Sequence, residues 1–265
     1  LYKTKKMDLA GIISCAGVFS VFFGFMYGSF FGFEDVLKAI WLKPMNQMMD
    51  VPLVGRLNAV FVIAIGFGMF IILICMVFNI INSIRRGDTE KTWFDSNAVA
   101  GLVFYGSIVL TIGLFISGKK LPAAAILVIM FGVPLLLMFL KEPLTNLVEK
   151  KSKILPEQKG MFFVQSFFEL FEVLLSYLSN TLSFLRIGAF AVSHAAMMEV
   201  VLMLAGATNG GNPNWIVVVL GNIFVCAMEG LIVGIQVLRL EYYEIFSRFY
   251  KGTGRQFVPF GSRKQ

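Results

Sequence analysis

Six apolar runs, at residues 9–33, 59–81, 98–117, 122–140, about 165–206 and 215–240, alternate with short polar connections. Each is close to or above the roughly 20 residues that a helix needs to cross a bilayer. None shows the period-two alternation of a half-buried strand. Lipid admits only helices or closed barrels, so the runs are expected to be helices and the chain an all-α, polytopic transmembrane bundle of six spans. The polar positions are unevenly shared. The first four runs contain no Asp, Glu, Lys, Arg or His. The last two, with the residues just beyond them, hold Glu169, Glu172, Arg186, His194, Glu199, Glu229, Arg239, Glu241 and Glu244, and His194 is the only histidine of the chain. Four lipid-adapted helices are therefore expected to support two that carry chemistry.

Those two are expected to be long and steeply tilted. No proline interrupts residues 161–205, and a straight helix of that length would reach roughly 67 Å, about twice the bilayer core, so it must tilt, break or protrude. Ser176, Ser179, Ser183, Arg186 and Ser193 follow a three-four spacing and form one stripe, with Phe190 interrupting it. His194 lies two turns beyond Arg186 and roughly 80° round the axis. In the last run Asn222, Glu229 and Gln236 recur every seven residues and Arg239 follows on the same face. The helical pattern continues through Tyr242, Tyr243 and Phe246 to about Tyr250.

Of 23 Lys and Arg residues, only Arg186 and Arg239 lie within apolar runs. A guanidinium in hydrocarbon costs roughly 2.5–3.5 kcal/mol on insertion scales, which makes each a candidate functional residue. The balance of composition agrees with a membrane chain: 57% hydrophobic and 15% charged residues, with mean hydropathy +0.79. The other basic residues report orientation. The N-terminus, 82–97, 141–160 and the C-terminus together hold 16, and the opposite connections, 34–56, 117–121 and 207–214, hold 5. The first set, including both termini, is expected on the cytoplasmic side. Trp41, Trp93 and Trp215 stand near run ends, as interfacial anchors do. The basic residues form no patch interleaved with aromatics, so nucleic acid is not an expected partner. Cys15, Cys75 and Cys226 lie in separate apolar runs, with no metal-ligand spacing or disulfide framework. The expected organisation is 1–140 as a four-helix peripheral bundle, 141–160 as a cytoplasmic linker, and 161–265 as the two arginine-bearing helices with a cytoplasmic tail. The opening Leu1-Tyr2-Lys3-Thr4-Lys5-Lys6 reads as the start of the C-terminal part of a larger subunit.

The segments Ser179-Asn180-Thr181-Leu182-Ser183-Phe184-Leu185-Arg186, Ala191-Val192-Ser193-His194-Ala195, Met228-Glu229-Gly230 and Leu238-Arg239-Leu240-Glu241-Tyr242-Tyr243-Glu244 resemble the membrane stator subunit, subunit a or subunit I, of V-type and A-type rotary ATPases. The tail Lys251-Gly252-Thr253-Gly254 with Phe257-Val258-Pro259-Phe260, and Phe23–Gly32 near the other end, are similar too. Ile187-Gly188-Ala189, where the eukaryotic branch usually reads Leu-Trp-Ala, favours a bacterial or archaeal cell membrane. The family's cytosolic N-terminal half and first pair of helices have no counterpart here. The resemblance implies that residues 161–265 face a rotor ring of hairpin proteolipid subunits. Two half-channels would pass H⁺ or Na⁺ to and from ring carboxylates, with Arg186 and Arg239 favouring the ionised carboxylate. It implies as half-channel candidates Glu229, His194, Gln236, Glu199, Ser183, Ser193 and Asn222. It also implies peripheral-stalk, central-stalk and soluble ATPase-head partners, with no metal and no cofactor in this chain. No Gly-rich loop ending in Lys-Ser or Lys-Thr is present, so ATP hydrolysis is expected to belong to partner subunits.

Other readings stand beside these. Either arginine could pair with Glu199 or Glu229 to join helices, the serine stripe could be small-residue packing, and His194 could be a packing residue. An ion-coupled secondary transporter would also want buried charges, but its signature is paired, Gly- or Pro-broken spans in two halves. Here the charges crowd into the last third.

Overall fold

The computed structural model describes residues 8–28, 33, 48–51, 55–88, 92–119, 122–148, 159–207, 213–250 and 252. The expected cytoplasmic N-terminus before Asp8, the middle of the 141–160 linker and the glycine-rich tail beyond Gly252 lie outside the described residues.

The chain is an all-α polytopic bundle. Helix α1 (Asp8–Tyr27) is apolar on every face, and none of its Ala10–Tyr27 span is buried, as suits a helix solvated by lipid. Helix α2 (Ala59–Arg86) starts where the Asn58 side chain accepts from the Val60 N–H at 3.1 Å. It ends in two arginines, Arg85 and Arg86, which complement the helix dipole. There Gly87 takes φ 73°, and the Asp88 N–H reaches back to the Ser83 carbonyl. That backbone bond needs the left-handed conformation glycine adopts without penalty. Helix α3 spans Val99–Ile116 and α4 spans Ala124–Phe139.

Helix α4 is followed, after Leu140, by α5 (Lys141–Val148) at a bend of 73°. Pro143 favours the break there: it has no N–H to offer the Phe139 carbonyl, and proline is tolerated in the first turn of the new helix. Hydrogen bonding resumes with the Leu144 N–H on the Leu140 carbonyl. Residues 141–148 and 159–160 of the expected 141–160 linker are thus helical.

The long fifth run is one helical span, Gly160–Leu204, whose α-helical hydrogen bonding is interrupted at a single residue. Helix α6 (Lys159–Ser183) and α7 (Leu185–Leu204) are separated by Phe184 alone. Helix α8 (Trp215–Leu240) passes into a π-helical turn over Glu241–Phe246 and a last turn, α9 (Ser247–Phe249), so the helical pattern read to about Tyr250 is present in the fold. A short antiparallel ribbon, β1 (Met48–Val51) with β2 (Gly55–Asn58), pairs Met48 with Asn58 and Val51 with Gly55. The ribbon falls in the 34–56 connection and reaches the start of α2; its four-residue strands are too short to show a pattern in sequence. Among the described residues five helical segments are long and apolar enough to cross a membrane, and the bent α4–α5 pair makes a sixth if it is one span.

The chain forms two compact units. The first comprises residues 1–70, 110–121 and 175–240, and the second 71–109, 122–174 and 241–265. In the first, α7 and α8 form an antiparallel hairpin. Its core is Met198, Val201 and Val225, its turn is closed by the Asn214 N–H on the Ala205 carbonyl, and Gly206 turns the chain with φ 76°. Gly221 lets the two helices approach: a Cβ there would lie 2.5 Å from a Val201 methyl. In the second unit Ile72, Met76, Ala98 and Tyr105 are almost fully buried, Phe104 meets Phe131 edge-on, and the Lys141 ammonium pairs with the Glu169 carboxylate.

Candidate functional site

The polar groups singled out by sequence converge on the α7–α8 hairpin of the first unit. Their placement begins at the helix break. The Phe184 N–H bonds the Thr181 carbonyl and the Ile187 N–H bonds the Phe184 carbonyl. Both are i to i−3 bonds, a local tightening in which residues three apart approach eclipse. Ser183 and Arg186 are three apart and come into register there. The Phe184 ring is fully buried and occupies a notch on α2 left by Gly68, where a Cβ would lie 2.2 Å from its Cγ. One turn on, Gly188 backs onto the Phe61 main chain, with 3.3 Å from a notional Cβ to the Phe61 Cα. Arg186 is two residues from each of these contacts, so it leaves α7 roughly 200° away, on the face opposite α2.

There Arg186 is half-buried. Its Nη1 donates to the Gln236 main-chain carbonyl at 3.4 Å and its Nη2 to Ser183 Oγ at 3.3 Å. Both acceptors are neutral, and among the described residues Arg186 makes no ion pair. Further along the hairpin, His194 Nδ1 stands 2.5 Å from Glu229 Oε2. An ionised carboxylate only accepts, so in that state the ring nitrogen is the donor. The pair is lopsided: the histidine side chain is 48% exposed and the glutamate 16%.

The remaining candidates are dispersed. Arg239 is exposed, and among the described residues it has neither a hydrogen bond nor an ion pair. Glu199 is likewise exposed. Ser193 and the Gln236 side chain are half-buried, while Asn222 is buried with its Nδ2 donating to the Val218 carbonyl one turn back. Ser176 and Ser179 are exposed, and Ser176 Oγ accepts from Asn180. Neither arginine pairs with Glu199 or Glu229 among the described residues.

One arginine was counted only as a tail charge. Arg248 is 7% exposed within the second unit. Its Nη1 donates to Asn97 Oδ1 at 2.9 Å and its Nε to the Glu244 carbonyl at 3.2 Å. Asn79 in turn donates to the Asn97 carbonyl. The four-residue spacing of Leu240, Glu244 and Arg248, all buried, was the available signal.

The sequence profile of the V-type ATPase 116 kDa subunit family matches residues 145–262, which contain the whole hairpin. The A-type ATP synthase subunit I of Pyrococcus horikoshii is 24% identical over 277 residues, covering 99% of this chain and 37% of that protein. Over residues 145–262, somewhat under half of its length, the chain is similar to the V-type ATPase 116 kDa subunit family. Higher identity is found over shorter stretches. The A-type ATP synthase subunit I of Saccharolobus solfataricus is 44% identical over 98 residues, 34% of this chain and 14% of that protein. The V-type proton ATPase 116 kDa subunit a 2 of Caenorhabditis elegans is 33% identical over 116 residues, 39% of this chain and 13% of its own length. The chain thus spans well under half the length of these family members.

Proposed function

We propose that this chain is the ion-translocating part of a rotary ATPase stator. It would present Arg186 and Arg239 to the carboxylates of a rotor ring and line two offset half-channels for H⁺ or Na⁺. The observation that carries this reading is that both intramembrane cations lack a carboxylate partner among the described residues. Arg186 is steadied by neutral oxygens alone, and Arg239 is exposed. A guanidinium with only neutral acceptors retains its attraction for an incoming carboxylate. At 4 Å and an effective dielectric of about 20 that attraction is on the order of 4 kcal/mol before desolvation. It favours the ionised carboxylate and so expels the bound ion. The same fixed charges oppose direct leakage between half-channels.

The His194–Glu229 pair provides a separate polar step. Eight residues part His194 from Arg186, about 12 Å along the helix axis, on the way to the hairpin turn. By the count of basic residues that turn is extracytoplasmic. A histidine half open to its surroundings and bonded to a more buried carboxylate suits a relay between an aqueous entrance and the ring. Gln236 and Ser193 are further lining candidates. Ring, stalk and ATPase-head subunits are the proposed partners, and nucleotide chemistry belongs to the head.

The test is ATP-driven ion uptake by the intact complex in vesicles. Arg186→Ala and Arg239→Ala are each expected to abolish uptake while the complex remains assembled. Uptake at the wild-type rate by either variant overturns the proposal.

A further inference from the structure

We propose that Gly68, on a helix with no charged residue in its membrane run, is a positioning residue for Arg186 that acts through Phe184. This rests on the role assigned to Arg186 above and adds a determinant outside the charged helices. Three observations carry it. A Cβ on Gly68 would lie 2.2 Å from Phe184 Cγ and 2.5 Å from Phe184 Cβ, closer than non-bonded carbons approach, so the α2 backbone forms the wall of the notch. Phe184 is the single residue between α6 and α7 and is fully buried. The tightened turn around it brings Ser183 Oγ onto the Arg186 guanidinium at 3.3 Å.

The colliding atoms are the stem of the phenylalanine, not the far end of a flexible side chain. A methyl at position 68 therefore cannot be absorbed by a rotamer change. It must displace the Phe184 main chain and with it the turn that aligns Ser183 and Arg186. Gly66, one step along the same helix, supplies the control: a Cβ there meets nothing within 4 Å. Gly66 and Gly68 are equal in composition and propensity, and only one of them holds the break.

The experiment uses the intact complex with the full-length subunit. Uptake and ATP hydrolysis are measured for Gly68→Ala, Gly66→Ala and Phe184→Ala. In a cysteine-free background, bifunctional thiol crosslinking is compared for Arg186→Cys with Gln236→Cys, and for Met198→Cys with Val225→Cys. Gly68→Ala is expected to lower coupled uptake by about 10- to 100-fold, the scale of a 1 Å misplacement at a reacting group. The KM for ATP should be unchanged, the 186–236 crosslink yield should change, and the 198–225 yield, which reports the hairpin core, should not. Gly66→Ala should behave as wild type.

Wild-type uptake by Gly68→Ala overturns the proposal, and so does loss of the 198–225 crosslink in an assembled complex, which would make the defect general unpacking. If Gly68→Ala fails to assemble, Phe184→Ala decides: assembly with lost uptake supports positioning, and assembly with normal uptake refutes it. Normal uptake by Arg186→Ala is a different failure, that of the stator reading itself.

Discussion

Arg186 and Glu229 sit on facing helices yet do not pair, and the spacing along α8 explains why. The guanidinium is level with Gln236, seven residues past Glu229, which is about 10 Å of helix. At that distance and an effective dielectric near 20 the attraction is under about 2 kcal/mol, too little to draw two half-buried side chains out of their own hydrogen bonds. Glu229 has a nearer partner in His194. The hairpin register thus keeps its half-buried carboxylate away from its half-buried cation. Glu229 and Glu199 should then differ sharply on mutation, though both are glutamates in apolar helices. Glu229→Gln is expected to slow ATP-driven uptake by at least about tenfold, in line with the loss of a positioned proton-transfer group. Glu199→Gln, exposed on α7, should stay within about twofold, where surface substitutions usually fall. Equal losses in the two variants would remove the case for a relay through the His194–Glu229 pair.

At the scale of elements, what was legible in sequence was what a single helix determines by itself. The apolar runs locate α2, α3, α4 and α8 to within a few residues, because apolar length is a local property. The long fifth run had to tilt, break or protrude, and length alone could not choose among these. The break at Phe184 carries no proline or glycine of its own; it depends on Gly68, more than a hundred residues away in the chain. The acceptor for Arg186 on α8 is a main-chain carbonyl, which no side-chain pattern reports. Arg248 was hidden for a different reason. It stands among tail cations, and its burial follows from packing of the π-helical turn and α9 within the second unit. Its substitution tests that packing. Arg248→Ala removes a charge-assisted hydrogen bond to the half-buried Asn97 Oδ1 and should cost about 1.5–3 kcal/mol. The loss should appear as a lower melting temperature of the detergent-solubilised protein, whereas Arg85→Ala, exposed at the end of α2, should change it little. Equal melting of the two variants would mean that the Arg248–Asn97 bond contributes nothing to stability.

Across the whole molecule the unresolved physical question is the fourth crossing. Helix α4 has 16 residues, about 24 Å, against a hydrocarbon core of about 30 Å. A short helix can still span if the bilayer thins or flanking side chains snorkel, and Lys141, paired with Glu169 just after the bend, is a long cation at the required place. The basic-residue count demands such a crossing. The Lys119 connection belongs to the side with 5 cations and the 141–160 segment to the side with 16, and only α4 joins them. Were α4 and α5 instead a re-entrant hook, the chain would have five spans and α6 would start on the wrong side for positive-inside orientation. Both Lys119 and Glu142 are exposed, so each accepts a cysteine probe. In intact cells or right-side-out vesicles, a membrane-impermeant thiol reagent is expected to label Lys119→Cys directly and Glu142→Cys only after permeabilisation. Labelling of both without permeabilisation would make α4–α5 re-entrant. It would also turn the hairpin over, so that the His194–Glu229 pair would open toward the cytoplasm and serve the opposite half-channel.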